Sequence, residues 1–379
     1  MDSSQDQKTF QWLTEHFRQY YSIAKPQIPE INRREFGFGG WEKKIEFRHL
    51  SFENPQALWN ELKSRAPLYV SCSAAYYEFP SGRPMQKKNW LGADLIFDLD
   101  AEPDELSPYI TQKSLEQIKQ KALNLIEEFL IPDFGFSKEE LQINFSGSRG
   151  YHVRAYKKEA QGLGRQERRE LVDYIEGAGL NFSTFFSEEP VPGSRFKKLA
   201  GPSPHMGGYK GKFARRIIKM LKDEKMAAQI SPKLKKPENA KKFIAGIEKG
   251  IYSNVQIPNA MENFRSIFDT MKLRLTNQVE TDANVTIDTS KILRLPDSIH
   301  GGSGLIAKTF PLSQADKFSP LKDALAFKSS KTEKIKTLRT IPQMEFNDQT
   351  FEKIEKGKEI ELPEGYAMYL VCKKTAIAV

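Results

Sequence analysis

Residues 141–156 constrain the fold most tightly. Leu141-Gln-Ile-Asn-Phe145 reads as a strand, Ser146-Gly-Ser-Arg-Gly150 as a tight turn and Tyr151-His-Val-Arg-Ala-Tyr156 as a returning strand. The connection is far too short for the crossover that parallel strands require, so the pair is an antiparallel hairpin with a polar tip. Gly147 and Gly150 permit close backbone approach to an anion, and the hydroxyls, guanidinium and imidazole around them supply directed donors. No Gly-x-Gly-x-x-Gly opens a helix and no phosphate-loop Lys-Ser/Thr signature is present, so the expected class is α/β in the α+β sense, with antiparallel hairpins and no doubly wound nucleotide fold.

A second strand precedes the hairpin. In Ala93-Asp-Leu-Ile-Phe-Asp-Leu-Asp100, the two-residue period places Leu95, Phe97 and Leu99 on one face and Asp94, Ile96, Asp98 and Asp100 on the other. Carboxylates at i and i+2 of a strand lie roughly 7 Å apart at the backbone. Their oxygens can converge on a hard divalent cation. Taken alone, an Asp-x-Asp also describes a solvated strand end; the hairpin beside it shifts the balance toward nucleotide chemistry.

The third polar segment is Thr286-Ile-Asp-Thr-Ser-Lys-Ile-Leu-Arg-Leu-Pro296, followed by Asp297-Ser-Ile-His300 and Gly301-Gly-Ser-Gly304. Lys291 and Arg294 are an odd number of residues apart. Both reach one ligand only if the strand twists or bulges there.

Together these segments resemble the catalytic (small) subunit of the archaeal and eukaryotic type of DNA primase, with the archaeal branch nearest. The resemblance rests on Phe97-Asp98-Leu99-Asp100, on Ser146 to His152, and on Leu293 to Leu305, in the family's order and at similar separations. Arg34-Glu-Phe-Gly-Phe38, Arg48 and Ser71-Cys-Ser-Ala-Ala-Tyr76 extend it over about residues 10 to 345. It implies a mixed-sheet catalytic fold built from two halves, acids on one and the basic strand on the other. It also implies primer synthesis de novo on single-stranded DNA by two-metal nucleotidyl transfer from NTPs or dNTPs, and hence a DNA-directed nucleotidyltransferase.

In that family, metals are held by both aspartates of the strand and a more distant acid. Asp98 and Asp100 carry over directly. Glu280, Asp282 and Asp288 all precede the basic strand, and the family register favours Asp282. Ser146, Ser148, Arg149 and His152 are then expected on the triphosphate, with Lys291, Arg294 and His300 on its other side and Arg48 as a further phosphate or sugar contact. Glu35 matches an acid near the family site and is equally consistent with a structural role. The implied cofactor is Mg²⁺ or Mn²⁺. The implied partners are a primase large subunit, template, primer and nucleotides. A repair polymerase of the same superfamily and a non-catalytic nucleic-acid-binding subunit are the alternatives. Many family members carry a zinc knuckle after the Asp-x-Asp strand, but residues 101–140 here contain no Cys or His, so no structural zinc is expected.

Charge is distributed unevenly. The 379-residue chain carries a formal net charge of +9, and the window from Gly207 to Lys249 alone holds thirteen Lys or Arg against four acids. Within it Phe213, Ile217, Met220 and Leu221 recur at helical spacing with basic residues between them. Residues 207–272 are therefore expected to form a basic helical insertion that interrupts a catalytic domain of 1–206 and 273–345. Lys235, Lys236, Lys241 and Lys242 are its expected DNA contacts. Residues 346–379 are expected to return as a short helix or strand.

Leu115, Ile118, Ala122, Leu125, Ile126 and Phe129 predict an amphipathic helix over 114–130. Other helices are expected at 7–21, 55–65 and 166–178, with strands at 45–47, 68–73, 94–98, 142–145, 151–155 and 292–295. No apolar run approaches spanning length, the first residues lack a signal peptide's apolar core, and Cys72 and Cys372 are the only cysteines. The expectation is a soluble, intracellular, chromosome-associated protein with no membrane partner.

Overall fold

A computed structural model describes residues 3–102, 107–190, 193, 197–277 and 279–379. The chain divides into two compact units. The first comprises Met1–Leu123, Ser137–Glu170 and Thr281–Val379; the second comprises Asn124–Phe136 and Leu171–Glu280. The insertion expected at 207–272 thus lies inside a larger unit that also takes in residues 171–206. No helix of the described residues is long and apolar enough to cross a membrane.

Two four-stranded sheets organise the first unit. One runs in the order Ile292–Arg294, Tyr69–Ser73, Phe36–Gly39, Phe47–Leu50; the other runs Thr309–Phe310, Leu141–Phe145, Gly150–Ala155, Leu95–Asp100. All their strand pairings are antiparallel. With helices such as Ser3–Ile23 and Pro55–Arg65 beside them, the fold is α+β as expected.

The register of the second sheet follows from its sequence. Phe97 pairs with Val153 and Leu99 with Tyr151, while Phe145 and Ile143 face Tyr151 and Val153 from the other side. All six side chains are fully buried, each contributing roughly 1.5–3 kcal/mol where the group is large and apolar. Phe145, Tyr151, Phe310 and Phe318 pack ring against ring on this face. Alternation then forces Asp98, Asn144 and His152 together on the opposite face, because Asp98 pairs with His152 and His152 with Asn144.

Buried charge ties the two sheets together. Arg34, just before strand Phe36–Gly39, reaches Asp94, just before the aspartate strand, at 2.7 Å, with both side chains inaccessible to solvent. Its guanidinium also donates to the carbonyls of Pro29 and Ser73, each at 2.8 Å. Arg168 donates to the carbonyls of Ala93, Asp94 and Thr286. Such groups persist in a core because their hydrogen bonds replace the lost water.

Helix Gln112–Leu125 runs on as a π-turn, Ile126–Leu130, and the whole predicted apolar stripe is buried. Residues 103–106 of the cysteine-free stretch lie outside the described residues. The strand expected at 45–47 is instead Phe47–Leu50, displaced by the Gly39–Gly40 bend, where Gly40 N–H donates to Lys43 O. At the C-terminus, Glu359–Pro363 and Ala376–Ala378 flank Thr332–Thr337 in a third sheet, and the buried helix Glu364–Cys372 lies between the two in sequence.

In the second unit the helices Gly208–Leu221, Glu224–Ile230, Pro237–Glu248 and Ala260–Asn277 surround an aromatic cluster. Phe186, Phe213, Phe243, Tyr252, Phe264 and Phe268 are its members. Phe213, Ile217, Met220 and Leu221 are buried as the pattern predicts.

Candidate active site

A cleft of about 480 Å³ in the first unit is lined by Asp98, Asp100, Ser146, Ser148, Arg149, His152, Lys291, Arg294 and His300. Three segments far apart in sequence supply them. The aspartate strand and the hairpin come from one sheet; Arg294 comes from the edge strand of the other, and Lys291 from the residue just before it.

The hairpin turn is shaped by its glycines. At Gly150 an added Cβ would lie 2.0 Å from Asp100 Oδ1, so only glycine admits the carboxylate there. Gly147 has φ +84°, and its Cβ would stand 2.8 Å from that of His300. Ser303 Oγ donates to the Gly147 carbonyl, so the 300–304 loop is fastened to the turn. Ser146 is mostly committed to the turn: its hydroxyl oxygen accepts the N–H groups of Ser148 and Gly150. Ser148 and Arg149, both half-buried, form the tip.

The two carboxylates differ in environment. Burial would raise the Asp98 carboxyl, yet His152, with Lys291 and Arg149 beyond it, holds it below the usual aspartate range. Asp100 goes the other way, pushed up by burial and by the charge of Asp98 against the pull of Arg149. Arg149 Nε stands 3.3 Å from Asp100 Oδ2. His152 Nε2 stands 3.3 Å from Asp98 Oδ1, long for a charge-assisted hydrogen bond. That oxygen is buried and has no well-aligned donor. An under-satisfied carboxylate oxygen beside a second acid is a donor set suited to a hard cation.

Asp282, exposed and outside the cleft lining, is tied to the aspartate strand through the backbone: its N–H donates to the Asp98 carbonyl at 2.8 Å. Thr286 Oγ1 donates to Ile96 O at 2.8 Å, so the short helix Ala283–Ile287 is pinned along the aspartate strand. One Asp282 oxygen caps that helix by accepting from Asn284 N–H. Asp288 is engaged elsewhere, accepting from the Ser290 backbone and hydroxyl and pairing with Arg165 at 3.3 Å. Glu280 belongs to the second unit.

The cationic wall is preorganised. Lys291 precedes strand Ile292–Arg294, so strict alternation does not govern it and both cations line the cleft. Arg294 lies over the Tyr69 ring at 4.9 Å and donates to Val70 O at 3.1 Å; burial pulls it down to about 10. His300 Nδ1 accepts the Gly302 N–H at 3.1 Å, which leaves the proton of the neutral ring on Nε2. Burial and then Arg294 hold this imidazole well below its ordinary value, so it is neutral at pH 7.

Not every expected residue is brought here. Arg48 lies outside the cleft lining, its Nε 2.7 Å from the buried Glu35 carboxylate, which His49 and Lys88 also approach at 3.2 and 3.4 Å. Lys235, Lys236, Lys241 and Lys242 sit in the second unit, all exposed, with Lys235 3.7 Å from Glu224. Conversely, Lys44, Ile45 and Ser71 line the cleft unforeseen. Ser71 pairs with Arg294 across two strands, a register invisible until the sheet order is known. Lys373, at the C-cap of helix Glu364–Cys372, lies outside that lining but acts on its charges. Its burial first, and then Arg149, bring its ammonium down to about 8, and it helps lower His300.

The profile of the DNA primase small subunit family matches residues 97–310, the span from the aspartate strand through His300. The chain is 34% identical over 406 residues to the DNA primase small subunit of Methanosarcina acetivorans, covering 98% of this chain and 97% of that one. The same protein of Archaeoglobus fulgidus is 32% identical over 372 residues, covering 96% and 97%. That of Thermoplasma volcanium is 34% identical over 311 residues, covering 82% and 80%.

Proposed function

This chain belongs to the DNA primase small subunit family, and we propose that it is the catalytic subunit of a DNA primase, making short primers de novo on single-stranded DNA from NTPs or dNTPs. One observation carries the reading: two carboxylates, one with a buried oxygen that has no well-aligned donor, share a cleft with Arg149, Lys291 and Arg294. Asp98, Asp100 and Asp282 would hold two divalent cations, Mg²⁺ or Mn²⁺, which when bound supply charge neutralisation and Lewis-acid activation. Asp282 is favoured over Asp288 because its backbone is bonded to Asp98, whereas Asp288 is spent on Arg165 and Ser290.

In the reaction the 3′-hydroxyl oxygen of the first nucleotide bonds to the α-phosphorus of the second and loses its proton to solvent, while the bond from that phosphorus to the bridging oxygen of pyrophosphate breaks. The chain's own part is binding and orientation. Arg149, Lys291 and Arg294 neutralise the triphosphate and the departing pyrophosphate. His300 donates from Nε2, and Ser148 and His152 add directed contacts. Arg294 is held by Tyr69 and Val70 before substrate arrives, so little reorganisation accompanies charge transfer to the leaving group. No nucleophilic side chain takes part. A primase large subunit and a single-stranded template complete the proposed assembly.

The test is nucleotide incorporation on an unprimed single-stranded circle with Mg²⁺ or Mn²⁺, beside Asp100→Asn. Short products that vanish in the variant are expected. Incorporation that persists unchanged in Asp100→Asn, or none with the large subunit added, overturns the reading.

A further inference from the structure

A second cationic site lies in the helical unit, where helices Gly208–Leu221 and Ala260–Asn277 border a groove of about 290 Å³. Lys212, Arg215, Arg216, Lys219 and Arg274 line it, against one acid, Glu128. Two of the cations are already committed. Lys212 pairs with Asp133, and Arg215 donates to the Pro204 carbonyl at 2.7 Å. Arg216, Lys219 and Arg274 have no ion pair among the described residues, although burial and then Arg274 pull Arg216 below the usual arginine range. Folding that brings like charges together costs free energy unless an anion joins them.

The shape of the groove identifies the anion. Met271 and Leu275 also line it, so it offers apolar surface beside the charged groups. A second depression of about 240 Å³ continues from it, sharing Arg216 and Met271 and adding the neutral polar groups of Gln229, Asn263, Ser266 and Thr270. A free phosphate would need the cations alone. Two cavities that share lining residues and mix apolar with cationic or polar groups match a strand that alternates sugar and phosphate.

We propose that this groove binds the sugar-phosphate backbone of a single nucleic-acid strand, with Arg216 and Arg274 on successive phosphates. The inference rests on the reading that the protein acts on single-stranded DNA, and it places the principal contacts away from Lys235, Lys236, Lys241 and Lys242. Those lysines are exposed to solvent, and Lys235 already stands 3.7 Å from Glu224.

Anisotropy of a fluorescent oligothymidylate, titrated with the full chain from about 50 to 200 mM salt, tests it. Each phosphate contact to a single strand contributes about 0.7 to the slope of log affinity against log salt. Arg216→Ala/Arg274→Ala is therefore expected to flatten the slope by about 1.4 and, at about 0.1 M salt, to weaken binding about 25-fold. Arg216→Lys/Arg274→Lys retains most of both, and an unchanged melting midpoint shows that the alanine protein is folded. Unchanged affinity and slope in that folded variant overturn the groove while leaving the cleft's activity intact. Strand binding that persists in that variant while its affinity for added pyrophosphate falls would make the groove a free-anion site and also overturns it. If the unaltered chain binds no single strand, the groove and the functional reading fall together.

Discussion

Asp94→Ala should destabilise the first unit severely, because it strands the Arg34 guanidinium in a region with no solvent access. The pair stands at 2.7 Å with both side chains fully buried, and removing one partner of such a pair costs about 3–5 kcal/mol. Arg34 would keep its carbonyl acceptors on Pro29 and Ser73, which places the expected loss near the lower end, about 3 kcal/mol. All four tryptophans, at 12, 41, 59 and 90, belong to the first unit, so tryptophan fluorescence in urea follows that unit without signal from the helical one. With a slope of about 2–3 kcal/mol per M, the midpoint falls by about 1–1.5 M. Adding Arg34→Met removes the unpaired charge and should recover part of the loss. A midpoint within about 0.3 M of the parent, or a double variant less stable than Asp94→Ala, refutes the argument that uncompensated charge is the cause.

Arg149→Ala removes a charged hydrogen-bond donor worth about 1.5–3 kcal/mol, so KM for the incoming nucleotide should rise at least about tenfold in steady-state incorporation. Gly147→Ala meets both a left-handed φ and the His300 Cβ; reduced thermal stability with loss of incorporation is expected, and a fully active protein would show the turn to be pliant. The neutral His300 gives a pH dependence of definite sign. Its folded pKa lies below the ordinary 6.5, so the unfolded chain binds more protons, and the stability it contributes is present above about 6.5 and lost as pH falls. Denaturation midpoints of His300→Gln should accordingly fall less between about pH 7 and 5 than those of the parent.

Much of the cleft was legible because period-two alternation and glycine turns are local properties. The shared face of Asp98 and Asp100 and the glycine turn of the hairpin follow from strand and hairpin patterns alone, whereas the pairing of Asp98 with His152 and of Asp100 with Gly150 does not. What depends on sheet order was not legible. Ser71 and Lys44 reach the cleft only through the pairing of Tyr69–Ser73 with Ile292–Arg294 and through the loop before Phe47. Arg48 illustrates the converse, since nothing in its sequence neighbours discloses that the buried Glu35 claims its guanidinium. Charge counting found the basic window but could not rank its lysines. Arg216 and Arg274 share a groove because two helices some 58 positions apart in sequence lie side by side.

The most direct measurement is a crystal structure of the chain with Mn²⁺ and a non-hydrolysable nucleoside triphosphate, using the anomalous signal of manganese. The account predicts manganese peaks against the carboxylates of Asp98 and Asp100, with Asp282 on at least one of them, and the triphosphate between Ser148–His152 and Lys291–Arg294. A triphosphate bound elsewhere, or manganese on Asp288 with none on Asp98 and Asp100, would contradict it.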